Sequence, residues 1–111
     1  NEEGYLHSNM YQRSCDTLLG VPFNTSQDAL LLIFIAHVTD RKPRIFNHFF
    51  GDAHIYNNHT EQVSEQLKRT PKALPSLKIK RKIKNILDFE WDDLELINYE
   101  HDKAIKAPVA V

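Results

Sequence analysis

A single cysteine among 111 residues excludes an internal disulfide, and Cys15 suits a chain kept in a reducing, cytoplasmic compartment. No charge of one sign dominates. Fourteen Lys and Arg against fifteen Asp and Glu leave a formal −1, too weak a field to select nucleic acid or a membrane surface. The longest apolar run, Ala29 to Ala36, is too short to cross a bilayer and has polar neighbours. The opening residues Asn1 to Tyr5 lack the basic and apolar regions of a signal peptide. They also lack an initiator Met, and apolar–polar alternation starts almost at once, as in a chain entered within a domain. There is no internal repeat and no low-complexity stretch. What is present is ordinary: 41% hydrophobic and 26% charged residues, enough for one domain or a large piece of one.

Periodicity gives a coarse layout. Tyr5 to Ser14 alternates as a strand. Gly20 and Pro22 predict a loop over Leu18 to Asn24, with Ser26 capping the next helix and Asp28 in its first turn. Ala29 to Val38 is apolar on nearly every side except at His37, the pattern of a buried helix. After the polar connection Asp40 to Arg44, Ile45 to Tyr56 reads as a strand broken at Gly51-Asp52. Asn58 to Arg69 carries Val63 and Leu67 at helical spacing, and Pro71 closes it. Leu77 to Lys80 alternates as a strand, Ile86, Phe89, Trp91 and Leu94 suggest a turn packed on the core, and Leu94 to Tyr99 forms a last strand. The order β, α, β, α, β, β fits an α+β fold, a mixed β-sheet backed by helices.

Three stretches carry a resemblance. Tyr11-Gln12-Arg13-Ser14-Cys15-Asp16 followed by Leu19-Gly20-Val21-Pro22-Phe23-Asn24, then Gly51-Asp52-Ala53-His54-Ile55-Tyr56 with Asn58-His59, then Ile105 to Val111, resemble the thymidylate synthase family in the family's own order. The resemblance covers nearly all of residues 1–111 and identifies them as the carboxy-terminal portion of a single domain, less than half of a family-length chain. It implies methylation of dUMP to dTMP with 5,10-methylenetetrahydrofolate as co-substrate, no metal, and a homodimer whose phosphate-site arginines cross between subunits. The family's nucleophilic cysteine sits in a Pro-Cys-His segment, and no Pro-Cys pair occurs in these residues.

The residues have the chemistry this implies. Arg13 offers a planar guanidinium for a phosphate, and Ser14 adds a hydroxyl; outside the resemblance they are an ordinary pair at a strand end. Asn24 presents a donor and an acceptor side by side, complementary to uracil N3–H and O4 and opposed to cytosine; on residue chemistry alone it is equally a helix cap. The resemblance puts Asp16 between nucleotide and folate, where a carboxylate binds the pteridine and orders proton-relaying water. It puts Cys15 in the nucleotide pocket, His54 and Tyr56 on the ribose hydroxyl, and Gly20, Phe23 and Ala110 against folate. The end from Pro108 to Val111 becomes a lid that closes over the folate.

Other signals are weaker. Cys15 near Arg13, Asp16 and His54 could mimic a nucleophile site, against the commoner reading of inert packing. Six histidines, with His54 and His59 five apart, show no metal-binding spacing. The basic run Lys78 to Lys84 alternates with Leu77, Ile79 and Ile83, which favours a solvated strand face over a nucleic-acid surface. Some scaffold positions depart from the family: Gln27-Asp28 for Ser-Tyr, Arg44-Ile45 for a Gly-Asp turn, and His101-Asp102-Lys103 for Pro-His-Pro.

Overall fold

A computed structural model describes residues 4–109. Its elements run β1 (Tyr5–Asp16), α1 (Gly20–Val38), β2 (Lys42–His54), α2 (Thr60–Leu67), β3 (Ser76–Ile79) and β4 (Leu94–Ile97), with short 3₁₀ turns at Asn57–His59, Ile86–Asp88 and Trp91–Asp93. Parallel and antiparallel pairing both occur: β1 pairs parallel with β2, and β3 antiparallel with β4, each in a two-stranded sheet. The α+β expectation holds.

The β1–α1–β2 unit follows from alternation. In β1, Leu6, Ser8, Met10 and Gln12 are half-buried while the residues between them are exposed, so one side of the strand packs and the other stays open. The helix lies over the packed side through Leu32 and Ala36, which are buried. On the open side, register partners also meet through side chains. Asn47 donates to Asn9 at 2.8 Å, and Tyr11 stacks on Phe49 with centroids 4.8 Å apart.

The connection expected over Asp40 to Arg44 is strand from Lys42, and the helix expected to be buried leaves Leu31 and Ile35 exposed. Three further expectations fail, each for a physical reason. The loop over Leu18 to Asn24 does not form; α1 begins at Gly20. Pro22 falls in the first turn, where a missing N–H costs nothing and a fixed φ helps. Ser26 is therefore not the cap, and its hydroxyl donates back to the Pro22 carbonyl. The start is secured earlier: Asp16 Oδ1 accepts from the amides of Leu18 and Leu19, both at 3.1 Å. Second, β2 is not broken at Gly51-Asp52 but runs unbroken to His54. Third, the turn expected to pack through Trp91 leaves that indole 88% exposed. Phe89 packs instead, stacked on Phe34 at 4.0 Å, and His37 Nε2 accepts from the Ile83 amide at 3.1 Å. Ile83 is buried there, and Asp93 beside it is held by Arg81.

The core is small for the mass. The chain of 12.9 kDa exposes 8887 Å², against about 6,300 Å² for a compact monomer of that size. Its radius of gyration is 16.5 Å, against about 13 Å. The excess is apolar in part: Tyr11, Phe23, Phe49, Leu87 and Trp91 are all exposed.

Candidate functional site

A parallel β–α–β unit brings the carboxyl ends of its strands and the amino end of its helix to one edge, where open α/β sheets commonly bind ligands. Most of the candidate residues lie there. Asp16 ends β1 opposite His54, which ends β2, and the Thr17 amide donates to the His54 carbonyl at 3.0 Å. Gly20 opens α1 between Asp16 and Asn24: a Cβ built on it would lie 3.4 Å from Asn24 Oδ1 and 3.5 Å from Asp16 Cβ. Arg13, Ser14, Asp16, Gly20, Asn24 and His54 thus share one end of the unit.

Asn24 is oriented by a relay. Gln12 Nε2 donates to the Ser14 carbonyl and to Asn24 Oδ1, both at 3.0 Å. A backbone carbonyl can only accept, so that end of Gln12 is its amide nitrogen. The other end, Oε1, must then receive hydrogen from His48 Nε2 at 2.8 Å. In the neutral ring Nδ1 is bare and accepts from the Thr25 hydroxyl at 3.0 Å. One carbonyl therefore sets the direction of every bond as far as Asn24. The Asn24 oxygen is thus engaged by Gln12.

Arg13 and Ser14 are both exposed and Cys15 is buried, so the in–out alternation of β1 changes phase at Ser14. The Cys15 thiol has no exposed surface and donates weakly to the Gln12 carbonyl, Sγ–O 3.7 Å. It packs beneath the cluster with no face from which to attack a substrate. His54 and Tyr56 stay together although Tyr56 lies beyond the strand, their rings edge-to-face at 4.9 Å. Tyr56 in turn meets His59 at 5.7 Å. The spacing of His54 and His59 is thus filled by an aromatic ring, and the described residues hold no group of three or more His, Cys, Asp or Glu placed for a metal.

Phe23 is 76% exposed and, with Leu18 and Leu19, forms the apolar side of a cleft of about 660 Å³. Arg69, Lys72, Tyr99, Glu100 and Asp102 line it as well, Lys72 Nζ lying 3.5 Å from Asp102 Oδ1. Ala110 and Val111 lie outside the described residues. No helix among the described residues is long and apolar enough to cross a membrane.

Sequence reasoning missed Gln12, Thr25, His48 and His59. His48 was detectable. It takes an inward position on β2 between Phe46 and Phe50, both ring neighbours, and an imidazole on a strand's packed side needs a partner.

Comparison with known proteins bears on the family of the chain. The family model described as thymidylate synthase matches residues 1–111. A thymidylate synthase of Mycoplasma mobile is 53% identical over 106 residues, which cover 96% of this chain and 37% of that protein. The chain thus spans little more than a third of the length of that relative.

Proposed function

The chain belongs to the thymidylate synthase family, and on that premise we propose that residues 1–111 form the carboxy-terminal part of a synthase that methylates dUMP to dTMP. Methylenetetrahydrofolate is the one-carbon donor. The observation that carries this reading is the Gln12-oriented Asn24 beside Asp16 and Gly20. An amide fixed with its NH₂ outward donates to uracil O4, and the second lone pair of Oδ1 accepts from N3–H. Cytosine would set donor against donor and leave buried groups unpaired.

Arg13 and Ser14, exposed at the strand end, take the phosphate through charge-assisted hydrogen bonds. His54 and Tyr56 take the ribose hydroxyl. Asp16 keeps a carboxylate between nucleotide and folate, although Oδ1 already serves two amides, so Oδ2 is the atom that meets ligand. Folate lies against Gly20 and Phe23, the exposed Phe23 ring at the cleft offering an apolar surface to its aromatic ring system. Residues from Pro108 to Val111, Ala110 among them, close over it as a lid that keeps water from the one-carbon unit. The nucleophile that adds to pyrimidine C6 comes from outside these residues, and so does the other half of the pocket. Dimerisation, which the family implies, has apolar surface to use on the open face of β1–β2, where Tyr11 stacks on Phe49.

The experiment is tritium release from C5-labelled dUMP with methylenetetrahydrofolate. The full-length protein that carries these residues releases tritium, and residues 1–111 alone do not. Release by the 111-residue chain that is lost in Cys15→Ser would overturn the assignment of the nucleophile. No release by the full-length protein would overturn the synthase reading.

A further inference from the structure

The segment from Asn98 to Val109 forms no helix or strand and is mostly exposed, yet three of its backbone carbonyls are engaged by the protein rather than left to water alone. Three side chains from α2 and its flanking turns do this. His59 Nε2 lies 2.6 Å from the Pro108 carbonyl, Gln62 Nε2 donates to the Lys106 carbonyl at 3.4 Å, and Arg69 Nη1 to the Lys103 carbonyl at 2.7 Å. Donor numbers rise as acceptor numbers fall, so the segment runs antiparallel to α2 as a strap. Gln62 lies within α2 and Arg69 just beyond its end, so the contacts reach along the length of the helix.

His59 differs from the other two. It is fully buried, and its ring meets Tyr56 edge-on at 5.7 Å while its amide donates to the Tyr56 carbonyl at 2.9 Å. The Pro108 carbonyl can only accept, so Nε2 carries the hydrogen. Nδ1 is buried with no partner among the described residues, and the bond to Pro108 is therefore the ring's one polar tie there. Pro108 is thereby fixed, through one rigid ring, to the residue that also touches His54.

We propose that His59 is the positioning residue for the segment from Lys103 to Val109: it pins Pro108 to Tyr56 and so holds that segment along α2. The strap stands on the geometry alone; its effect on turnover rests on the function proposed above.

The test uses the full-length protein that carries these residues, with His59→Phe, which keeps a ring but no donor, and His59→Gln, whose Nε2 reaches about as far as the imidazole's. Limited trypsin cleavage without ligand comes first. His59→Phe should speed cutting after Lys103 and Lys106 about tenfold, the loss of one hydrogen bond, with the urea midpoint of the fold unchanged and most of the protection restored in His59→Gln. Unchanged cutting there in His59→Phe overturns the strap. If the midpoint also falls in that variant, Arg69→Met decides, since it must speed cutting after Lys103 without touching the buried ring. Turnover comes second: His59→Phe should lower kcat for dTMP about tenfold and leave dUMP affinity within about twofold. A loosened segment with unchanged kcat, or an equal loss of dUMP affinity, overturns the positioning role. An unmutated protein that makes no dTMP sinks the synthase reading, and the cleavage measurement still decides the strap.

Discussion

Gly51 faces the main-chain carbonyl of Arg13, so closely that a Cβ built on the glycine would lie 2.7 Å from the oxygen. The obstacle is backbone held in a parallel ladder, with Gln12 opposite Phe50 and Ser14 opposite Asp52, and cannot swing aside as a long side chain would. Gly51→Ala must push the strands apart at the residue proposed to hold phosphate. The expected cost is about 1–3 kcal/mol, typical of overpacking, read as a lower urea midpoint with unchanged slope and accompanied by weaker dUMP binding. An alanine variant with the parent's midpoint would show that the strands yield freely there.

Arg13 itself is exposed, so the fold depends little on it and the proposed phosphate contact can be tested apart from folding. Arg13→Ala in the full-length protein should weaken dUMP by roughly 2–3 kcal/mol, the worth of a charge-assisted contact, and leave uridine almost unaffected. Calorimetric titration of both ligands separates the cases. Equal losses would mean that Arg13 acts through folding.

The relay from Thr25 to Asn24 makes a prediction at a distance. Gln12→Leu removes the donor to Asn24 Oδ1 and frees the amide to rotate, so discrimination between dUMP and dCMP should fall although Asn24 is intact. Asn24→Asp should go further and admit dCMP, since a carboxylate accepts from cytosine N4 and repels uracil O4; each wrong pairing costs on the order of 1–3 kcal/mol. Unchanged affinity ratios in both variants would reduce Asn24 to a helix residue.

The legible parts were those set by a short period or a long motif. Alternation located β1, β3 and β4, and the motif residues that chemistry singled out do gather at the strand ends. Gly20 and Pro22 misled because loops and first helical turns use the same residues. What separates them is Asp16, which accepts from two amides just before the helix. The break expected at Gly51 failed because that glycine answers a neighbour 38 residues earlier, not a turn. His59 was invisible for a similar reason. Its partner is a backbone carbonyl 49 residues away, and a carbonyl leaves no mark in sequence. Trp91 read as core because large apolar residues usually are, yet burial needs a covering surface, and these residues supply none for it.

Two ion pairs of the same length allow a test of burial. Arg81 Nε reaches Asp93 Oδ1 at 2.5 Å and Lys82 Nζ reaches Asp40 Oδ1 at 2.5 Å, but the acid side chain is 9% exposed in the first and 74% in the second. Asp93 does more than pair. Oδ2 also accepts from Arg81 Nη2 and the Glu90 amide, both at 2.8 Å, closing the turn that precedes β4. The Arg81 guanidinium, then the Glu90 amide, hold the Asp93 carboxyl below its ordinary value; Lys82 does the same for Asp40. A carboxyl depressed in the folded state stabilises fully above the unfolded value, about 3.9. As pH falls from there through the folded value the unfolded chain binds the proton first, and the contribution is lost. Asp93→Asn should therefore lower stability at pH 7 and flatten the acid limb of a stability–pH curve below about pH 5. Asp40→Asn should change the same curve little, because solvent screens an exposed pair. Urea midpoints at stepped pH decide it: equal flattening in both variants would show that burial does not separate the pairs, and an unaltered limb in Asp93→Asn would remove Asp93 from the acid response.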